Sequence, residues 1–283
     1  MGRIAGNSPT PCGDPGIPAE PALATTASAP EPLMTHYLLL DIEGTTCPIS
    51  FVAEVLFPYA SQHLTFFLQE HGEEPEIAAI LEAAWQEWDQ DPDPSQQGKL
   101  RELEEPKRGS LQAITHYLQD LIDADRKSTA LKDLQGHLWK QGFQCGAIQA
   151  EFYPETIRCL QEWHQAGLQL AVYSSGSIQA QQLLYGHTEA GDLRGLFCGW
   201  FDTRTGNKKE ASSYTTISNQ LQCEPQRITF ISDSSAECDA AESAGLRVLF
   251  SLRPGNPDQD PGQHTVITSL DQVNATINTT PQR

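Results

Sequence analysis

Basic residues are scarce in this chain. Lys and Arg together number 18 against 37 Asp and Glu, a formal net charge of −19. A surface of that sign repels nucleic acid and anionic membranes, so neither is expected as a partner. It repels an anionic substrate as well, unless cations or a divalent metal are placed locally. Long apolar runs are also missing: nothing approaches the roughly 18 residues that span a bilayer. No Cys-x-x-Cys pair occurs, and the cysteines are odd in number, at seven: Cys12, Cys47, Cys145, Cys159, Cys198, Cys223 and Cys238. Neither a disulfide framework nor a zinc site is indicated, and reduced thiols in a cytoplasmic protein are expected. No segment repeats another.

Large apolar residues are nearly absent from residues 1–34, which are rich in Pro, Ala, Gly, Ser and Thr. Such a stretch cannot bury enough surface to offset ordering entropy, so a disordered tail is expected. It lacks the apolar core of a signal peptide and the arginine content of a transit peptide. Met34 stands just before the first apolar run and is expected to be the true start. Residues 276–283 are polar and expected to fray.

What is present is organised around Tyr37–Leu40, an apolar run that leads straight into Asp41, Ile42, Glu43 and Gly44. The run reads as a buried strand of a parallel sheet. Residues 51–150 then show only helical patterns: Ser50 to Gln69, Ile77 to Trp88, Leu111 to Ala124 and Ala130 to Trp139, with Asp89 to Ser95 as a loop. From 151 to 275 strands and helices alternate. Leu168–Tyr173, Phe197–Phe201, Arg227–Ser232 and Leu246–Ser251 read as strands, with helices between them. The fold class is therefore α/β, a doubly wound parallel sheet built from 35–50 and 151–275, with an all-helical block at 51–150 inserted as a cap.

Ligands of open α/β sheets bind beyond the carboxyl ends of the strands. Three predicted strands end there in polar groups: Asp41 with Glu43, Ser174 with Ser175, and Asp233. The loop around Lys208 can bring an ammonium to the same edge. Each part suits phosphoryl transfer. Asp41 is a nucleophile already ionised at neutral pH. Magnesium held by Asp41, Asp233 and a backbone carbonyl near Glu43 would relieve its repulsion from phosphate. Ser174 and the following N–H groups would hold phosphoryl oxygens, Lys208 would neutralise them, and Glu43 would exchange a proton with the leaving alcohol and then with water. Singly, these residues have bland readings: Asp233 as a helix cap, Lys208 as a surface lysine, Ser174–Ser177 as an ordinary turn. Lys209 reads as a surface residue, Glu237 and Asp239 as solvated helix acids, with orientation of a metal-bound water by one of them as the alternative, and His137 as structural.

The order Asp-x-acid-Gly-Thr, strand-end Ser, loop Lys, strand-end Asp resembles the haloacid dehalogenase superfamily, with Glu43 where its first motif usually carries Asp. Asp41–Val52, Leu56–Tyr59, Asp125–Lys132, Leu134–His137, Tyr173–Ser177 with Gln181, Leu183, Leu184, Gly186 and His187, Phe201–Thr203 and Arg253–Asn256 further resemble the enolase-phosphatases of methionine salvage, over about residues 36 to 270. Cys47 departs from a frequent Thr, and Asn207 from a His. The resemblance implies a HAD-like core and conversion of a small phosphorylated diketone, 2,3-diketo-5-methylthiopentyl-1-phosphate, to an acireductone and phosphate. It also implies one Mg2+ per subunit and a monomer. By position, Asp41, Glu43 and Asp233 match metal ligands, and Ser174, Ser175 and Lys208 match substrate-binding residues. Ser174, Glu43, Lys208 or a cap residue could manage the enolisation proton. A phosphatase for another small sugar phosphate is the alternative enzyme, and a phosphate-binding module without turnover the alternative class.

Overall fold

The computed structural model describes residues 36–103, 109–124, 126 and 128–274. The expected tail with Met34, the end at 276–283, and Asp125 and Lys127 lie outside the described residues. Six strands, β1 (Tyr37–Leu40), β2 (Gln169–Tyr173), β3 (Phe197–Phe201), β4 (Ile228–Ser232), β5 (Arg247–Ser251) and β6 (Thr265–Ile267), form one parallel sheet in the order β3-β2-β1-β4-β5-β6. The register explains why β1 carries no polar residue. Leu38 lies beside Leu170 and Leu39 beside Ala171; on the other side, Leu39 lies beside Phe230 and Leu40 beside Ile231. Alternation along each strand sorts these side chains onto two faces. Leu38, Leu40, Leu170, Val172 and Ile231 join one core cluster. Leu39, Ala171, Tyr173, Ile228 and Phe230 join the other. Each leucine of β1 is fully buried, which stabilises the fold by about 2 kcal/mol per side chain.

Between β1 and β2 the described chain is helical: α1 (Ile49–Phe51), a π-helical stretch over Val52–Leu56, α2 (Phe57–His71), α3 (Pro75–Asp89), α4 (Pro94–Glu102), α5 (Leu111–Asp123) and α6 (Thr129–Gln144). Serines and an aspartate set the starts. Ser110 Oγ accepts from Ala113 N–H at 3.2 Å, Ser128 Oγ from Leu131 N–H at 3.0 Å, and Asp93 Oδ1 from Ser95 N–H at 2.9 Å. Each such cap is worth about 1 kcal/mol. These helices have a core of their own, on Leu64, Leu68, Ile77, Trp88, Ile114 and Leu134. Trp139 and Phe143, in the last turns of α6, pack instead with the sheet. Helix α4 was not legible in the sequence because it has no apolar stripe: of its residues only Gln96 and Leu100 are buried.

The remaining helices flank the sheet. Cys159, Leu160 and Trp163 of α7 (Thr156–Gln165) and Leu184 and Tyr185 of α8 (Ile178–Gly186) cover the first face. Tyr214 and Ile217 of α9 (Ala211–Leu221) and Ala240 and Ala241 of α10 (Ser235–Ser243) cover the second. Strand β6 was also missed; it is three residues long, lies at the sheet edge, and exposes Thr265 and Val266. The six cysteines among the described residues are unpaired. Among the described residues no helix is long and apolar enough to cross a membrane.

Candidate active site

Asp41 continues the ladder of β1, its N–H donating to the Ile231 carbonyl at 2.9 Å. The chain then coils tightly: the N–H groups of Thr45, Thr46 and Cys47 all donate to the Ile42 carbonyl, at 3.2, 2.9 and 2.9 Å. Gly44 permits the turn at φ +68°, and its carbonyl accepts from Ser251 Oγ and Asn256 Nδ2, each at 3.0 Å. A Cβ on Gly44 would stand 2.2 Å from Asp233 Oδ2, so a glycine is required by space as well as by φ.

The Asp41 carboxylate is buried and oriented from both sides. Its Oδ1 accepts from Ile42 N–H at 2.8 Å, and its Oδ2 from Ser232 Oγ at 3.0 Å. Lys208 Nζ approaches the same Oδ2 at 2.7 Å. The loop that delivers Lys208 is braced by hydroxyls. Tyr214 Oη donates to the Lys208 carbonyl at 2.7 Å, Tyr173 Oη to the Gly206 carbonyl at 3.0 Å, and Ser213 Oγ to the Asn207 carbonyl at 2.7 Å. Lys208 is 8% exposed, while Lys209 beside it is exposed, as the sequence suggested. Burial alone would lower the Lys208 pKa; attraction to Asp41 and then Glu237 outweighs it, and the pKa rises above the ordinary lysine value.

Glu237 corrects the sequence reading. It is not a solvated helix acid: its side chain is only 14% exposed and its Oε2 lies 2.6 Å from Lys208 Nζ. Ser232 Oγ is 2.9 Å from the same Oε2, so one hydroxyl lies between two carboxylates and can donate to only one at a time. Burial, then the charge of Asp41, raises the Glu237 pKa. The signal available in the sequence was the spacing: Glu237 lies one helical turn beyond Asp233, on the face that looks back at the strand end. Asp239 does sit at the surface, bonded to His264 at 2.9 Å. Asp233 is half-buried, and burial, then the Asp41 charge, push its pKa up to about 7.

Ser174 follows β2, is buried, and its Oγ accepts from Gly176 N–H at 3.1 Å; Ser177 Oγ caps α8 through Ala180 N–H at 3.2 Å. Ser175 is exposed, and its carbonyl accepts from Lys132 Nζ of α6 at 2.6 Å. Glu43, Ser174 and Ser175 line a cavity of about 250 Å³ whose other wall includes Leu121, Ile122 and Trp139 of the helical block. His137 faces Glu76 at 3.7 Å within that block, in keeping with a structural role.

The donor set bears on a metal. Asp41, Asp233 and Glu237 face the single ammonium of Lys208, which leaves a surplus of negative charge that a hard divalent cation would balance. Among the described residues no group of three His, Cys, Asp or Glu side chains is preformed for a metal, and the set expected to hold one is Asp41 and Asp233 with a backbone carbonyl near Glu43. Two carboxylates with a backbone oxygen and water suit magnesium, which takes few protein ligands.

The profile of the haloacid dehalogenase-like hydrolase family matches residues 36–245. Enolase-phosphatase E1 of Parasynechococcus marenigrum is 52% identical over 240 residues, covering 85% of this chain and 98% of that protein. Enolase-phosphatase E1 of Prochlorococcus marinus is 52% identical over 84% of this chain and 97% of its own length. The crystal structure of the UTR4 protein of Saccharomyces cerevisiae superposes with a TM-score of 0.65 at 30% identity, covering 83% of this chain and 98% of that one. The chain belongs to the haloacid dehalogenase-like hydrolases and, within them, to the enolase-phosphatases.

Proposed function

We propose that the chain converts 2,3-diketo-5-methylthiopentyl-1-phosphate to an acireductone and phosphate, with Asp41 as nucleophile. The observation that carries this reading is the buried Asp41–Lys208 contact at 2.7 Å, at the carboxyl end of β1. Identity to the two cyanobacterial enolase-phosphatases supports the choice of substrate.

Enolisation comes first. A proton leaves the carbon beside the carbonyl, its bonding pair becomes the C=C bond, and the carbonyl oxygen takes up a proton. Phosphoryl transfer follows. A carboxylate oxygen of Asp41 bonds to phosphorus as the ester P–O bond breaks, and Glu43 gives the leaving oxygen a proton. Water then attacks the aspartyl phosphate while Glu43 takes a proton back. Lys208 balances charge on Asp41 and the phosphoryl oxygens. Ser174, Ser175 and the N–H groups of the loop before α8 bind those oxygens. Asp41 and Asp233, with the backbone at Glu43, would hold one magnesium ion per chain, which would supply charge neutralisation between phosphate and carboxylate. The same reading takes 51–150 as the cap that sets specificity, and the protein as a cytoplasmic monomer.

The test is phosphate release from the diketone phosphate, with and without magnesium, while the ultraviolet absorbance of the enol is followed. Magnesium-dependent release through an enol is expected, with turnover abolished in a folded Asp41→Asn variant. Activity on simple sugar phosphates but not on the diketone would reject the substrate, and a fully active Asp41→Asn would reject the mechanism.

A further inference from the structure

Helix α6 presents Leu131, Lys132, Gln135 and Trp139 to the cavity that also contains Glu43, Ser174 and Ser175. Three cationic or amide groups on this side differ in how they are engaged. Arg126 gives Nη1 and Nη2 to the buried Asp91 at 2.9 and 2.7 Å, so its charge is matched within the helical block. Lys132, one turn before Gln135, reaches across to the sheet side, donating to the Ser175 carbonyl at 2.6 Å and lying 3.5 Å from Thr203 Oγ1. Gln135 is 7% exposed, yet among the described residues its amide has no hydrogen-bond partner, and its atoms are not sealed from the space they line. The amide is thus open to whatever fills the cavity, with both a donor and an acceptor to offer, where leucine would suit a purely apolar wall better.

We infer that the Gln135 side-chain amide is a substrate-contacting specificity residue, which recognises the carbonyl of the phosphorylated ketone and the enol it becomes. This rests on the proposed enolase-phosphatase activity. A diketone offers acceptors only, whereas its enol offers both an O–H donor and an acceptor. An amide carries both complements, so it can pair with the substrate through its N–H and with the enol through either end. The N–H bond strengthens as negative charge builds on the carbonyl oxygen, so the contact favours enolisation over simple binding. Because Lys132 ties the same helix to the carbonyl of Ser175, the amide is held in register with the loop expected to grip the phosphate.

The experiment compares two non-hydrolysable probes on the magnesium-loaded protein by calorimetry: a 2-ketoalkyl phosphonate and the alkyl phosphonate that lacks the ketone. The wild type is expected to bind the keto probe about tenfold more tightly. Gln135→Met, which keeps the length of the side chain but not its polarity, is expected to bring that preference within twofold while leaving affinity for the plain phosphonate unchanged. In parallel, its enolisation of the diketone phosphate is expected to fall at least tenfold. No keto preference in the wild type, a preference that survives Gln135→Met, or an equal loss for both probes would each overturn the assignment. Failure of the activity reading shows separately, as a wild type that does not turn over the diketone at all.

Discussion

Replacing Lys208 by methionine tests the electrostatics of the site directly. Nζ lies 2.7 Å from Asp41 and 2.6 Å from Glu237, with all three side chains largely buried. At an effective dielectric constant of 20, a single pair at that separation is worth roughly 6 kcal/mol before desolvation. Removing one partner of a buried ion pair costs about 3–5 kcal/mol net, because the charge left behind has lost its match. For a chain of this size that corresponds to a fall in Tm of about 10 °C. The pH dependence has a definite sign. Glu237 already has a folded-state pKa above its unfolded one, and without the ammonium that favours its charged form the gap widens. The penalty is then absent below the ordinary carboxylate range and grows as pH rises through it. Calorimetric scans of Lys208→Met and wild type at pH 5 and pH 8, both without metal, should show the larger deficit at pH 8. A Tm within 2 °C of wild type at pH 8, or a deficit larger at pH 5, would refute the reasoning.

Two further outcomes follow from positions with narrow tolerances. Gly44→Ala must place a Cβ against Asp233 Oδ2 and Asn256 Nδ2, 2.2 and 2.8 Å away, at φ +68°, where a side chain adds about 1–2 kcal/mol of strain. The carboxylate has to move, so the magnesium concentration giving half-maximal phosphatase activity should rise at least tenfold; an unchanged titration would contradict the assignment of Asp233. His36 is half-buried, bonded to Thr229 Oγ1 at 2.8 Å, and burial, then the charges of Arg247 and Arg227, lower its pKa to about 4. A lowered histidine pKa costs stability as pH falls from about 6.5 toward 4, by about 1–2 kcal/mol after allowance for its partial exposure. His36→Gln should flatten that part of the urea-unfolding pH profile, and an identical profile would count against the cause given.

The sequence was most legible where a residue's chemistry and its place in the fold coincide. Leu38, Leu39 and Leu40 are apolar without alternation because both sheet faces are covered, and that pattern by itself marks a central parallel strand. Asp41, Ser174 and Asp233 were legible because each ends such a strand. Glu237 was less so: its spacing from Asp233 was a signal, but an acid in the first turn of a helix is usually solvated, and its contact is with Lys208, from a loop 29 positions earlier. Ser232 was hidden for a similar reason: as the last residue of β4 it counted as strand, yet its hydroxyl lies between two carboxylates. Helix α4 and strand β6 escaped because one lacks periodicity and the other is too short to show any.

The insertion of a helical block after Asp41 also has a physical basis. The chain leaves the sheet after Thr46 and returns before Thr156, and the two crossings are tied to each other: the Thr46 carbonyl accepts from Tyr153 N–H at 3.2 Å and from Thr156 Oγ1 at 3.0 Å. Thr46 Oγ1 is in turn 2.9 Å from Tyr185 Oη, within the buried face of the sheet. Arg253 closes the arrangement, lying 2.6 Å from Glu155 and stacking over the ring of Tyr153 with 4.3 Å to its centroid. About a hundred residues are thus inserted through one narrow, hydrogen-bonded neck. Whatever the helices do beyond it, the turn carrying Asp41, Glu43 and Gly44 stays anchored to β4 and β5 through Ser232, Ser251 and Asn256. The Asp41 carboxylate is therefore held by the sheet, whereas Gln135 comes from the far side of the neck. The two cores are nevertheless joined: Trp139 and Phe143 of α6 pack with the sheet, and Lys132 of the same helix reaches the Ser175 carbonyl, so a change in α6 is felt on both sides.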